Sequence, residues 1–109
     1  MKKALYLVLK ATPKAFETFE DLKQRGFNGT AVSSESLHKA VEFYPEEHHF
    51  FNLRDLEKHD LKESVLVIFV VDEENIVELK DVIRWDTDNF TNPKGFMYSF
   101  DLLDYEGNV

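Results

Sequence analysis

Four histidines, His38, His48, His49 and His59, fall in one stretch of this 109-residue chain beside Glu46, Glu47 and Asp60. Imidazole and carboxylate are ligands for divalent transition metals. A tight site, however, needs three or four of them converging at about 2.0 to 2.2 Å. His48 and His49 are adjacent and diverge on either a helix or a strand, and His38 lies across Pro45 from them. The stretch therefore reads as a solvated polar segment, and no metal or other cofactor is assigned. Ser33, Ser34 and Ser36 lie near His38 in the chain, but no strained Gly-x-Ser-x-Gly nucleophile turn accompanies them. Glu73 and Glu74 are placed where paired acids stabilise the positive end of a helix. No catalytic residue is assigned, and an enzyme is not expected.

Binding chemistry has one candidate set, Arg54, Lys94 and Gly95. A lysine beside a glycine that lets backbone approach closely, with a second cation from elsewhere, is what an anionic ligand requires. A turn lysine next to a structural glycine is the ordinary reading of Lys94 and Gly95, since no extended glycine pattern surrounds them. Phe50, Phe51, Trp85, Phe90 and Phe96 are read as core or interface packing groups rather than as ligand-stacking ones.

The chain length and a hydrophobic content of 43% fit one domain with one core. The absence of cysteine excludes disulfide and thiolate sites and suits a reducing, cytoplasmic setting. A formal net charge of -8 opposes phosphate backbones and anionic membranes alike, so neither nucleic acid nor membrane is expected as a partner. The apolar run near the N-terminus ends at Lys10, too short to span a bilayer.

The positions of these groups depend on the elements that carry them. Residues 4–9 form an apolar run read as a first strand, and Thr12 followed by Pro13 marks a helix start. That helix is expected to bury Phe16, Phe19 and Leu22, set Asp21 toward water and stop at Gly26. Residues 30–33 suit a short second strand. Residues 34–61 lack strand alternation and read as a helical, elaborated connection broken at Pro45. Residues 65–71 are uninterruptedly apolar, the pattern of a strand buried on both faces. Asp72 is expected to cap a helix with Ile76, Leu79, Val82 and Ile83 as its buried stripe. A polar loop over 85–95 and a last strand over 96–103 complete the order.

This order predicts an α+β fold, a ferredoxin-like βαββαβ domain with a four-stranded antiparallel sheet and a helical insertion between strands 2 and 3, spanning 1–109. Right-handed crossovers put both helices on one face of the sheet. Strands 1 and 3 are apolar nearly throughout, so the other face needs cover as well, from further copies of the chain or from the 34–61 segment.

Several strings are similar to the PII-like superfamily of small trimeric signalling proteins: Gly26-Phe27-Asn28-Gly29-Thr30-Ala31-Val32, Phe51-Asn52-Leu53-Arg54-Asp55-Leu56, residues 65–71 followed by Asp72-Glu73-Glu74, and Asn92-Pro93-Lys94-Gly95-Phe96-Met97-Tyr98-Ser99-Phe100. The glycine-rich loop with which nucleotide-binding members hold phosphates is reduced here to Lys94 and Gly95. The resemblance implies a homotrimer with a small anionic metabolite or a nucleotide at clefts between subunits, and a sensing or signalling-adaptor role. The alternative is a ligand-free protein–protein interaction module whose acidic surface meets a basic protein partner.

Overall fold

The computed structural model describes residues 1–34 and 64–109. The expected helical insertion over 34–61, with Arg54, Ser36 and all four histidines, lies outside the described residues apart from Ser34. Strand β1 (Lys2–Lys10) leads into helix α1 (Pro13–Gln24), then strand β2 (Gly29–Ser34). Strand β3 (Ser64–Asp72), a 3-10 turn (Glu73–Asn75), helix α2 (Ile76–Asp86) and strand β4 (Gly95–Asp101) follow. The fold is α+β: a four-stranded antiparallel sheet in the order β2-β3-β1-β4, with two helices among the described residues.

Central strand β1 pairs with β3 through Leu5↔Phe69 and Leu7↔Val67, and with β4 through Leu5↔Ser99 and Leu7↔Met97. Successive side chains on a strand point to opposite faces. Leu5, Leu7 and Leu9 of β1 and Val65, Val67 and Phe69 of β3 therefore share one face, where they meet Ala15 and Leu22 of α1 and Ile76, Leu79, Val82 and Ile83 of α2. That is the core, with both helices on one side of the sheet. The intervening residues Leu66, Ile68 and Val70 are only half-buried. The sequence reading of β3 as buried on both faces is thus corrected for the single chain: the helices cover one face, and the alternate apolar positions line the other.

Thr12 opens α1 as expected, its extended backbone and its Oγ1, which accepts from the Ala15 amide at 3.2 Å, satisfying a donor that a helix start leaves free. The buried stripe differs from the expected one. Ala15, Thr18 and Leu22 are buried, at helical spacings of three and four, and Phe19 is partly buried. Phe16 sits one position further round, is 55% exposed, and sets its ring edge-on to Phe19 at 5.7 Å. On α2 the expected stripe of Ile76, Leu79, Val82 and Ile83 is buried. Asp72 does not cap that helix. Its carboxylate pairs with Lys2 Nζ at 2.8 Å, and the chain enters α2 through the 3-10 turn, where the Glu73 amide donates to the Met1 carbonyl.

Helix α2 is left through Thr87, which is fully buried. Its hydroxyl donates to the Ile83 carbonyl at 2.7 Å and accepts from the Phe90 amide at 3.0 Å, and its carbonyl accepts from the Thr91 and Asn92 amides. Asp88, Asn89 and Phe90 all take left-handed backbone conformations, φ of 50, 55 and 66°. That region disfavours residues with a Cβ, Asn and Asp least, so the Thr87 bonds and the seating of Phe90 against the core must offset the strain.

Asp21, expected to face water, is instead half-buried beside Asp86 of α2. Asp86 carries a buried oxygen with no other partner, and desolvation together with the neighbouring Asp21 pushes its pKa up to about 6. The neighbouring Asp86 carboxyl, and Arg25, whose Nε donates to Asp21 Oδ2 at 3.0 Å, both hold Asp21 below its ordinary range. The two carboxyls, one from each helix, thus oppose each other's ionisation. Because the Asp86 pKa is raised in the folded state, its stabilisation is complete below the unfolded value of 3.8 and is lost as pH rises through about 6. Asp86→Asn keeps a hydrogen-bond donor toward Asp21 at every pH. The stability of the variant relative to the parent, measured by urea unfolding, is expected to rise by about 1 kcal/mol between pH values below and above this window, a figure reduced for solvent screening. No change in that difference would show that Asp86 is not raised by its neighbourhood.

Candidate functional site

Gly95 begins β4 opposite Leu9, and its position explains its type. A Cβ there would overlap the Val8 carbonyl oxygen and come within 2.7 Å of Leu9 Cδ2. Neither β1 backbone nor a fully buried leucine can move away cheaply, so only glycine lets the loop reach the sheet here. The Lys10 amide donates to the Lys94 carbonyl at 2.9 Å, which fixes the two lysines side by side at the end of β1. The isolated bridge between Thr91 and Lys94 closes the loop behind them.

Lys10 also pairs in register with Ser64, and Ser64 with Ser34, whose hydroxyls lie 2.6 Å apart. A polar row of Lys94, Lys10, Ser64 and Ser34 thus borders the face of the sheet opposite α1 and α2. Beyond it the face is apolar: Val32 of β2, Leu66, Ile68 and Val70 of β3, Ala4, Tyr6 and Val8 of β1, and Phe96, Tyr98 and Phe100 of β4. The aromatics form a ladder. Phe96 and Tyr98 stack at 6.3 Å, Tyr98 and Phe100 at 6.4 Å, and Tyr6 lies 5.3 Å from both Tyr98 and Phe100. The rings remain open to solvent, Phe96 at 53%, Tyr98 at 51% and Phe100 at 40%.

Where the polar row meets the ladder, an open cavity of about 580 Å³ is lined by Lys10, Lys94, Gly95, Ser34, Ser64, Tyr6, Tyr98, Phe96, Val8 and Leu66. Its size is that of a small-molecule pocket. Chemically it offers two ammonium groups, two hydroxyls and a flat aromatic floor, with no carboxylate among its described lining. Such a set holds an anion with an apolar or planar body. Among its described lining no carboxylate or imidazole stands beside Ser34 or Ser64, whose hydroxyls engage each other.

Of the residues singled out in the sequence, Lys94 and Gly95 come together here, while Arg54 lies outside the described residues. Ser33 and Ser34 point to opposite faces, pairing with Val65 and Ser64. Phe96 is a ring of the open ladder, Phe90 packs on the core, and Trp85 is 84% exposed. Phe50 and Phe51 are not among the described residues. Among those described, no group of three or more His, Cys, Asp or Glu is placed to hold a metal ion, and no helix is long and apolar enough to cross a membrane. Lys10, Tyr6 and Ser64 were missed, and Ser34 was weighed only as a nucleophile, because their convergence is a matter of register. The available signal was the even-numbered set Tyr6, Val8, Lys10, which shares one strand face.

No family model matches the chain, and no curated protein sequence does either.

The close approach at Gly95 has a measurable consequence. Gly95→Ala is expected to separate the start of β4 from β1 and to cost about 1 to 3 kcal/mol in denaturant unfolding, the usual penalty for overpacking. An unchanged midpoint would show that the loop does not depend on that contact.

Proposed function

We propose that this chain is a PII-like homotrimeric sensing or signalling protein that binds a small anionic metabolite or nucleotide by Lys94 and Lys10 on the face of its sheet opposite α1 and α2. The observation carrying this reading is the cavity in which both lysines border an apolar, aromatic sheet face that α1 and α2 leave open. The strand order β2-β3-β1-β4, antiparallel with both helices on one side, supports a ferredoxin-like βαββαβ arrangement. The short Lys94-Gly95 element at the start of the last strand is the part of the PII-like pattern that falls at the cavity. Work is done there by binding, not by bond chemistry.

Assembly follows from burial. Completing the burial of each half-exposed aromatic on the face contributes about 1 to 2 kcal/mol, and the aliphatic row on β3 adds to it. Copies of the chain joined through these faces would bring the cavities to the boundaries between subunits, where a neighbour closes the open side.

Two measurements test the reading. Light scattering is expected to give three times the 12.8 kDa chain mass, and Tyr98→Asp, which puts a charge in the middle of the face, is expected to give one chain mass with helical content retained. A monomeric parent would overturn the assembly. A thermal-shift screen of nucleotides, phosphates and small carboxylates is expected to find a stabilising anion, since a ligand at 100 times its Kd adds about 2.7 kcal/mol. Lys94→Ala and Lys10→Ala should each weaken that anion about 10 to 100-fold, the loss of one charge-assisted hydrogen bond. Binding indifferent to both substitutions would place the ligand elsewhere, and no stabilising anion at all would favour the ligand-free interaction module.

A further inference from the structure

Strand β2 is an edge of the sheet, and among the described residues nothing pairs with its outer side. Its six residues, Gly-Thr-Ala-Val-Ser-Ser, carry no charge and no proline, and all but Ser34 are exposed. Natural edge strands are normally blunted by lysine, proline, a bulge or a covering element, because a row of free amides and carbonyls otherwise recruits another strand. Here none of these devices is present within the strand. Gly29 is drawn so close to β3 that a Cβ would meet Val67 Cγ1 at 2.8 Å and the Ile68 carbonyl at 2.9 Å, so a side chain is excluded at this end of the edge.

A second, separate feature lies beside that edge. Between α1 and β2, on the helix-covered face, is a cavity of about 370 Å³ walled by Phe16, Phe19, Phe27, Val67 and Phe69, with Gly29 and Ala31 on its β2 side. Gly29 and Ala31 are exposed, so the cavity opens toward the edge. Its one charged lining group among the described residues is Lys23. An unblunted edge supplies main-chain bonding, and a pocket next to it selects alternate side chains. Together these are the two parts of strand addition.

We infer that the outer edge of β2 is a pairing site for an extended segment of another protein, one with bulky apolar residues at every second position and an acidic residue to meet Lys23. The occupant is not a second copy of β2, because that strand presents only Gly29, Ala31 and Ser33 on the cavity side, which leaves the pocket unfilled. A segment with leucine- or phenylalanine-sized side chains fills it, and its carboxylate complements the lysine. This site is on the opposite side of the sheet from the anion cavity and does not depend on it.

The test uses the full chain and a fluorescein-labelled peptide of strand length in which leucine alternates with threonine and which ends in glutamate. The control has the same composition with its leucines consecutive. Saturable anisotropy binding of the alternating peptide alone is expected, with new amide-exchange protection at residues 29–34. Ala31→Phe, which occupies the cavity from the β2 side, is expected to weaken binding at least about tenfold. Lys23→Glu, at an exposed position where folding is unaffected, is expected to shift preference about fivefold toward a peptide ending in lysine. Absence of binding, equal binding of the control, protection elsewhere in the chain, or pairing of β2 with a second copy without peptide would each overturn the inference.

Discussion

Everything in this fold depends on a geometric property of β1: a central strand whose side chains alternate faces is apolar on both of them. Leu5, Leu7 and Leu9 are fully buried beneath the helices, while Tyr6 and Val8, half-buried, and Ala4, buried, point to the other side. Helices that cross over in the same hand can cover only one face. The face that α1 and α2 leave open is then not an incidental exposure. It follows from placing this sequence at the centre of the sheet, and β3 and β4 extend it through Leu66, Ile68, Val70, Phe96, Tyr98 and Phe100.

The second constraint is local. The loop from α2 to β4 must deliver Lys94 next to Lys10, and it does so by spending backbone strain at three consecutive left-handed residues. Buried Thr87 anchors the turn through its hydroxyl and carbonyl, and Gly95 lets the loop return onto β1 without a collision. The ammonium pair at the cavity is therefore positioned in part by Thr87, which does not line it. A change at Thr87 would act on the site through geometry rather than through charge.

Elements with strong periodic patterns were legible in the sequence. The first strand, the Thr12 start of α1, the stripe on α2 and the apolar third strand were readable because burial repeats at 2.0 or 3.6 residues. What was not legible depended on pairing between distant segments. Phe16 outranks Ala15 and Thr18 in hydrophobicity, yet the direction of the core left it outside. Asp72 has the composition of a cap, but its nearest cation across the sheet is Lys2, and ion pairing replaced capping. The Asp21–Asp86 contact required two helices to be set side by side, which no single-helix pattern encodes. At the site, Lys94 and Gly95 were visible as a pair; Lys10, Ser34 and Ser64 joined them only through strand register.

Trp85 is the sole tryptophan of the chain, and it stands almost fully in solvent near the end of α2. An indole already hydrated in the native state emits much as it does in the unfolded chain. Loss of the core would therefore leave the wavelength of tryptophan emission nearly unchanged, and an unfolding curve followed by that signal would look flat while the sheet came apart. The tyrosines of the open ladder, Tyr6 and Tyr98, are coupled to neighbouring rings and to the sheet itself, so near-ultraviolet dichroism of those rings is the optical signal that follows this fold.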